Sequence, residues 1–322
     1  MTDPHRLRVG AYQGAPVFLD RRGTTETVLN AIDAARDAGV SVLGFGETFL
    51  PGYPFWLSST GGARFNDPAQ KEAFAAYLDA AVTADGPELS EISARARDRG
   101  VYVVLGAAER GQGVATGSTY ATLFSIHPQR GIVSAHRKLV PTYEERLVWA
   151  HGDGQGLRAH DFAGTRVSAL NCWENWMPQA RHAMYADGTR LHVASWPGSA
   201  QLTRDVTRMV AMEGRVFVLS AGAYLAREDI PSGFPLVDAI PAELEVFQDG
   251  GSCVAGPDGA WILEPKTGRL GLVTAEIDLG RVDRERQNFD PTGHYSRPDI
   301  FQVSVDRRRR RAANFTDDPG EA

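Results

Sequence analysis

The sequence predicts one layered α/β domain. Three observations carry this. Strand-like apolar runs alternate with amphipathic helical stretches to about residue 220, the chain beyond is mostly strand-like, and no Pro/Ser/Gly linker or internal repeat divides it. With 322 residues, 43% of them hydrophobic and 23% charged, there is material for a sizeable core.

The elements follow in order. Residues 7–13 read as a strand. TTETVLNAIDAARDAG (24–39) reads as a helix, with a Thr cap, apolar Val28, Leu29, Ile32 and Ala35 on one face, and Gly39 as its stop. A strand is expected at 40–46 and a helix over 69–82. GPELSEISARARDRG (86–100) gives a second capped helix, with Pro87 near its start and Gly100 closing it. Strands follow at 101–106, 121–126, 131–138 and 166–171, then a helix at 178–187, a strand at 191–196, a helix at 203–214 and a strand at 216–221. The remaining candidates, 252–255, 270–278 and 301–305, are strands. The domain is placed at 1–306. After it, 307–322 holds five arginines and then an acidic, Pro/Gly-containing end, which reads as a solvated flexible tail.

A net charge of −6 and a pI near 5.8 argue against nucleic acid or an anionic membrane surface as partner. No apolar run is long enough to span a bilayer, and MTDPHRLRVGAYQ lacks the layout of a signal peptide. The two cysteines, Cys172 and Cys253, are too sparse for a disulfide framework or a zinc cluster, which predicts a cytoplasmic protein with reduced thiols.

Sequences of the HExxH, GxSxG and Walker A types do not occur, and the histidines lack metal-ligand spacing. GQGVATG (111–117) precedes a strand and reads as a surface turn. Three strand ends carry chemistry instead: Glu47 in SVLGFGETFLPGYPFW, Lys138 in GIVSAHRKLVPTYEERLVW and Cys172 in ALNCWENWMP. Each residue alone could be solvated loop, surface or core. Ligands gather at the carboxyl ends of strands in open α/β sheets, so the three could meet. Together they would form a proton-exchanging carboxyl, an electrostatic stabiliser and a nucleophile, needing no metal or organic cofactor. That set suits attack on an electrophilic carbon bonded to nitrogen, as in an amide or a nitrile.

GETFLPGYPFW (46–56), HRKLVPT (136–142), ERLVWAHGDG (145–154), NCWENWMP (171–178), HVASWPG (192–198) and GHYSRPD (293–299) stand in one order along the chain. In these stretches the sequence resembles the nitrilase branch of the carbon–nitrogen hydrolase superfamily. The resemblance implies a single-domain αββα sandwich that associates through its helical face into a homodimer or small oligomer. It implies a Glu47–Lys138–Cys172 triad, with Glu145, rather than Glu144, as a second glutamate holding Lys138 and water. The Trp173 N–H would assist Lys138 in stabilising the tetrahedral species. The implied reaction converts a nitrile substrate to a carboxylic acid and ammonia through a Cys172 thioimidate and thioester. An amidase or N-carbamoyl hydrolase with the same triad, a cyanide-degrading enzyme and an inactive scaffold of the same fold are the alternatives.

Tyr53, Trp173 and Trp196 are the aromatic residues expected at the substrate, with Trp56 and Trp176 more ordinary core or interface residues. Glu174 is either a secondary acid or a salt-bridge partner, and His136 and Cys253 read as core. The chain departs from the family pattern at Tyr120-Ala121, where relatives commonly carry Asn after the aromatic, and at Tyr143, where they carry His.

Overall fold

Strands that are apolar on both faces need cover on both sides. In chain order the computed structural model, which describes residues 5–310 and 313, builds β1 (Arg6–Gln13), α1 (Arg21–Asp37), β2 (Val42–Gly44), α2 (Trp56–Ser59), α3 (Pro68–Ala80), α4 (Pro87–Arg99) and β3 (Tyr102–Arg110). β4 (Thr119–His127), β5 (Gly131–Arg137), β6 (His160–Phe162), β7 (Thr165–Asn171), α5 (Pro178–Ala186), β8 (Leu191–Trp196) and α6 (Ala200–Gly214) follow. The chain then runs through β9 (Phe217–Gly222), β10 (Tyr224–Ala226), β11 (Val246–Ala255), β12 (Trp261–Thr267), β13 (Gly271–Asp278) and α7 (Gly280–Arg286).

The strands form two sheets, ordered β13-β1-β2-β3-β4-β5 and β10-β11-β9-β8-β7-β6, with β12 paired to β11. Neighbours β1, β2 and β3 are parallel, as are β7, β8 and β9. Strand alternation sorts the side chains into layers. Val9, Val42, Val104 and Leu123 of the first sheet meet Val167, Val193 and Leu219 of the second. Their chain neighbours Leu43, Val103 and Leu105 point the other way, onto Val28, Leu29 and Ile32 of α1 and Leu89 and Ile92 of α4. On the far side, Val206 and Val210 of α6 cover Ala194, Trp196 and Val218. The result is the αββα sandwich the resemblance implied.

Local differences have local causes. α1 starts at Arg21, capped by Asp20, whose carboxylate accepts the Gly23 N–H at 2.9 Å. The threonines expected to cap it instead return their hydroxyls to the carbonyls of Val17 and Arg21. Residues 301–305 are not a strand: Phe301 and Val303 are exposed and pair with no ladder. β12 went unpredicted because Glu264, Pro265 and Lys266 break its apolar pattern. The predicted flexible tail begins as a docked strap. Arg307 pairs with Asp187 at 3.2 Å, Arg309 donates to Ala135 O at 2.8 Å, and the Arg310 N–H donates to Asp153 at 2.9 Å. Apart from Ala313, the rest of that tail lies outside the described residues. Among the described residues no helix is long and apolar enough to cross a membrane.

Candidate active site

Glu47 stands just past β2, where the chain leaves the sheet. Its N–H donates to Trp196 O at the end of β8, 2.9 Å away, and Leu50 N–H donates to Gly106 O of β3 at 3.1 Å. Gly106 permits this approach, because a Cβ there would lie 2.2 Å from Gly46 O and 2.6 Å from Thr48 N. The loop therefore rests on strands of both sheets, and the carboxylate is buried between them.

Lys138 follows β5 directly. Its N–H donates to Ala121 O of β4 at 2.7 Å and its carbonyl accepts from Gly152 N at 2.8 Å. The side chain runs inward, and Nζ lies 2.8 Å from Glu47 Oε1 and 2.6 Å from Glu145 Oε2. Glu145 sits in a 3-10 turn (Tyr143–Leu147) and folds back to accept the Thr142 N–H at 2.6 Å, half of a capping box. Its other oxygen accepts the Tyr53 hydroxyl at 2.8 Å. Trp149 closes this side with its ring centroid 5.5 Å from the ammonium, a cation–π distance, and its indole N–H donates to Tyr77 Oη at 3.1 Å.

Cys172 opens the 3-10 turn (Cys172–Trp176) at the end of β7 with φ +46°, a left-handed backbone that is uncommon for a residue with a side chain. Such a conformation costs about 1–3 kcal/mol and persists only where the surroundings hold it. Asn175 Nδ2 donates to Cys172 O at 2.9 Å and to Leu170 O at 3.3 Å. Asn175 Oδ1 lies 2.8 Å from His192 Nε2, and His192 Nδ1 lies 2.8 Å from Ser168 Oγ. A neutral imidazole protonated at Nε2 satisfies this chain, and burial, with Arg181 nearby, pushes His192 down to about 3.

Burial governs the electrostatics of the cluster. It raises the Glu47 carboxyl to about 8, with Lys138 pulling down and Glu145 pushing further up. Burial opposes charge on Lys138 as well, but Glu47, Cys172 and Glu145 outweigh it and hold the ammonium. The Cys172 thiol lies well above its ordinary value, through burial and then Glu47, so sulfur stays protonated until a base takes the proton. Donor atoms of Glu47, Glu145 and Cys172 lie within 4.8 Å of one another, close enough to share a cation, and the Lys138 ammonium that binds both carboxylates supplies that charge.

The structure thus brings Glu47, Lys138, Cys172 and Glu145 together, with Tyr53 against Glu145. Trp173 is half-exposed on the turn, its ring 6.3 Å from that of Trp176. Trp196 is buried in the cluster that also holds Cys172. It shares the helix-facing side of β8 with Ala194, packs into the α6 cluster and donates its indole N–H to Ser220 Oγ at 3.3 Å. Its carbonyl accepts the Glu47 N–H. Trp56 is buried core, as is Cys253. At the two departures, the Tyr120 ring carries the Arg137 guanidinium 3.8 Å from its centroid, and Tyr143 is exposed. Sequence reasoning missed Trp149, Asn175 and His192, although ERLVWAHGDG, NCWENWMP and HVASWPG contain them.

Comparison with known proteins agrees with this geometry. Residues 8–287 match the carbon-nitrogen hydrolase family model. The chain is 37% identical over 312 residues to Nitrilase 2 from an unknown prokaryotic organism, covering 97% of this chain and 96% of that protein. It is 35% identical to an aliphatic nitrilase of Sinorhizobium fredii, with 94% and 96% covered. Among solved structures, a carbon-nitrogen hydrolase from Helicobacter pylori superposes with a TM-score of 0.69 over 92% of this chain and 97% of that one, at 19% identity, a likeness of fold alone.

Proposed function

The chain belongs to the carbon–nitrogen hydrolase family, and on that premise we propose that it is a nitrilase, converting an organic nitrile and two waters to a carboxylic acid and ammonia. The observation that carries the reading is the buried Lys138 ammonium held 2.8 Å from Glu47 and 2.6 Å from Glu145, with the Cys172 thiol in the same cluster.

In this proposal Glu47 takes the Cys172 proton as sulfur attacks the nitrile carbon, and returns it to nitrogen, giving a thioimidate. A water deprotonated by Glu47 adds to the same carbon. Lys138 and the Trp173 N–H stabilise the charge that develops in the tetrahedral species. Protonated nitrogen leaves as ammonia, the C–N bond breaks and a thioester remains. A second water displaces sulfur, releasing the acid and restoring the thiol. Glu145, fixed by Tyr53 and Thr142, keeps the ammonium in register.

The carboxylates and thiol are used on this cycle without a cofactor. The catalytic domain is taken as 1–306, working in a reducing, cytoplasmic compartment that keeps Cys172 and Cys253 free. Self-association is assigned to the outer helical face, where α6 exposes Leu202 and Met212. Light scattering on the purified protein tests that assignment.

The activity test incubates the protein and Cys172→Ala with aliphatic, arylaliphatic and aromatic nitriles, cyanide and the matching amides. Ammonia and acid from a nitrile, absent in the variant, are expected. Turnover of amides alone would make the protein an amidase instead.

A further inference from the structure

We propose that Glu174 is a positioning residue that clamps the nucleophile's turn to the lysine's strand end. Its carboxylate is buried and has three partners. Oε1 accepts the Leu139 N–H at 2.6 Å, Oε2 accepts the Asn171 N–H at 2.9 Å, and His136 Nε2 lies 3.1 Å from both oxygens. Leu139 is the residue after Lys138, and Asn171 is the residue before Cys172. One carboxylate therefore holds the backbone on one side of each reacting group.

The two groups come from different sheets. Lys138 directly follows β5 of the first and Cys172 follows β7 of the second. Between the sheets the contacts are mainly apolar, and apolar contacts resist separation but have no preferred direction. Hydrogen bonds to a charged acceptor are directional and roughly twice as strong as neutral ones. The other crossing bond nearby, Asn171 Nδ2 to Ala121 O, is 3.4 Å long and is shared with the Lys138 N–H. Glu174 is thus the short link between the two strand ends. It also secures the N-terminal side of the left-handed Cys172, whose C-terminal side Asn175 holds. Burial pushes its carboxyl up, but His136 and the two N–H groups outweigh that and keep it ionised. With its oxygens turned to these partners, Glu174 is the salt-bridge alternative of the sequence reading, not a secondary acid.

The turnover arm of the test rests on the nitrilase reading; alkylation of Cys172 by iodoacetamide does not, and so separates the two. Glu174→Gln has one acceptor and one donor at its tip, so its NH2 must oppose either the Leu139 or the Asn171 N–H. A displacement of about 1 Å at a reacting group costs on the order of 100-fold, so kcat is expected to fall at least tenfold with KM nearly unchanged. Alkylation of Cys172 slows with it. Glu174→Asp keeps the charge, is too short to reach both N–H groups, and shows the same split should the Gln variant not fold. A folded Glu174 variant with native kcat and native alkylation overturns the proposal.

Discussion

Lys138 donates to Glu145 Oε2 across 2.6 Å, and both side chains are shut away from solvent. Breaking one partner of a buried pair costs about 3–5 kcal/mol, because the charge left behind has no water to return to. Lys138→Met leaves Glu47 and Glu145 facing each other without a cation. It is expected to abolish turnover and to lower unfolding stability in urea by about that amount. Glu145→Gln keeps a hydrogen-bond acceptor but removes the charge. It is expected to stay folded and lose roughly 100-fold in kcat/KM. Native-like turnover in either variant would remove the pair from the mechanism.

The Glu47 carboxyl gives a pH signature. Its value in the folded chain is about 8, against an ordinary 4.5, with burial as the main cause. The folded state holds a proton there that the unfolded chain has already lost. This contribution to stability is fully present below 4.5 and is lost as pH rises through about 8. The native melting temperature should therefore fall between roughly pH 4.5 and pH 8, and that of Glu47→Gln should fall less. Turnover should run the other way, with kcat/KM rising on an apparent pKa near 8, because the base form is the carboxylate. Melting curves and rates collected over the same buffers check both limbs. A flat rate profile would take Glu47 out of the base role.

Tyr53 tests how far Glu145 must be held. Its hydroxyl donates to Glu145 Oε1 at 2.8 Å while its ring meets Trp149 edge-on with centroids 5.6 Å apart. Tyr53→Phe keeps the ring and removes one bond to a charged acceptor, worth about 1.5–3 kcal/mol. A fall of roughly tenfold in kcat is expected, alike for small and large nitriles. A change confined to KM for large nitriles would make Tyr53 a wall of the substrate pocket instead.

What was legible in the sequence follows from what sequence encodes locally. Glu47 and Cys172 each stand just past an apolar run and Lys138 follows a strand of alternating character, and the ordering of strands at the sheet ends brings such positions together. The layered α/β class was legible because apolar strand runs alternate with amphipathic helical stretches, and the sandwich followed from the family resemblance. The distant partners of Glu174 were not legible. Its contact with the Asn171 N–H is a local capping box three residues long, but Leu139 N–H and His136 become its partners only when β5 and β7 are brought together. Trp149 was hidden for a related reason, since its contact with Lys138 depends on the return of the chain after the 3-10 turn at Tyr143–Leu147. The start of the Arg-rich tail read as solvated because its acceptors, Asp153, Asp187 and Ala135 O, are distant in sequence.

Trp196 was expected at the substrate as one of the aromatics near the triad, and alternation along β8 turns its side chain to the α6 side, into the cluster that also holds Cys172. Leu191 and Val193 face the other sheet, while Ala194 and Trp196 face α6. The indole N–H reaches Ser220 Oγ, which itself pairs with Thr207 Oγ1 at 2.6 Å, so the ring is part of the bond between sheet and helix. Trp196→Phe removes that donor and leaves a gap beside it. A loss of about 1–3 kcal/mol in stability is expected, with the ranking of nitriles by kcat/KM unchanged, because the indole N–H is turned to Ser220 and the α6 cluster. Denaturant unfolding and a nitrile panel on the same preparation measure both. A reordered substrate ranking at native stability would put Trp196 back in the pocket.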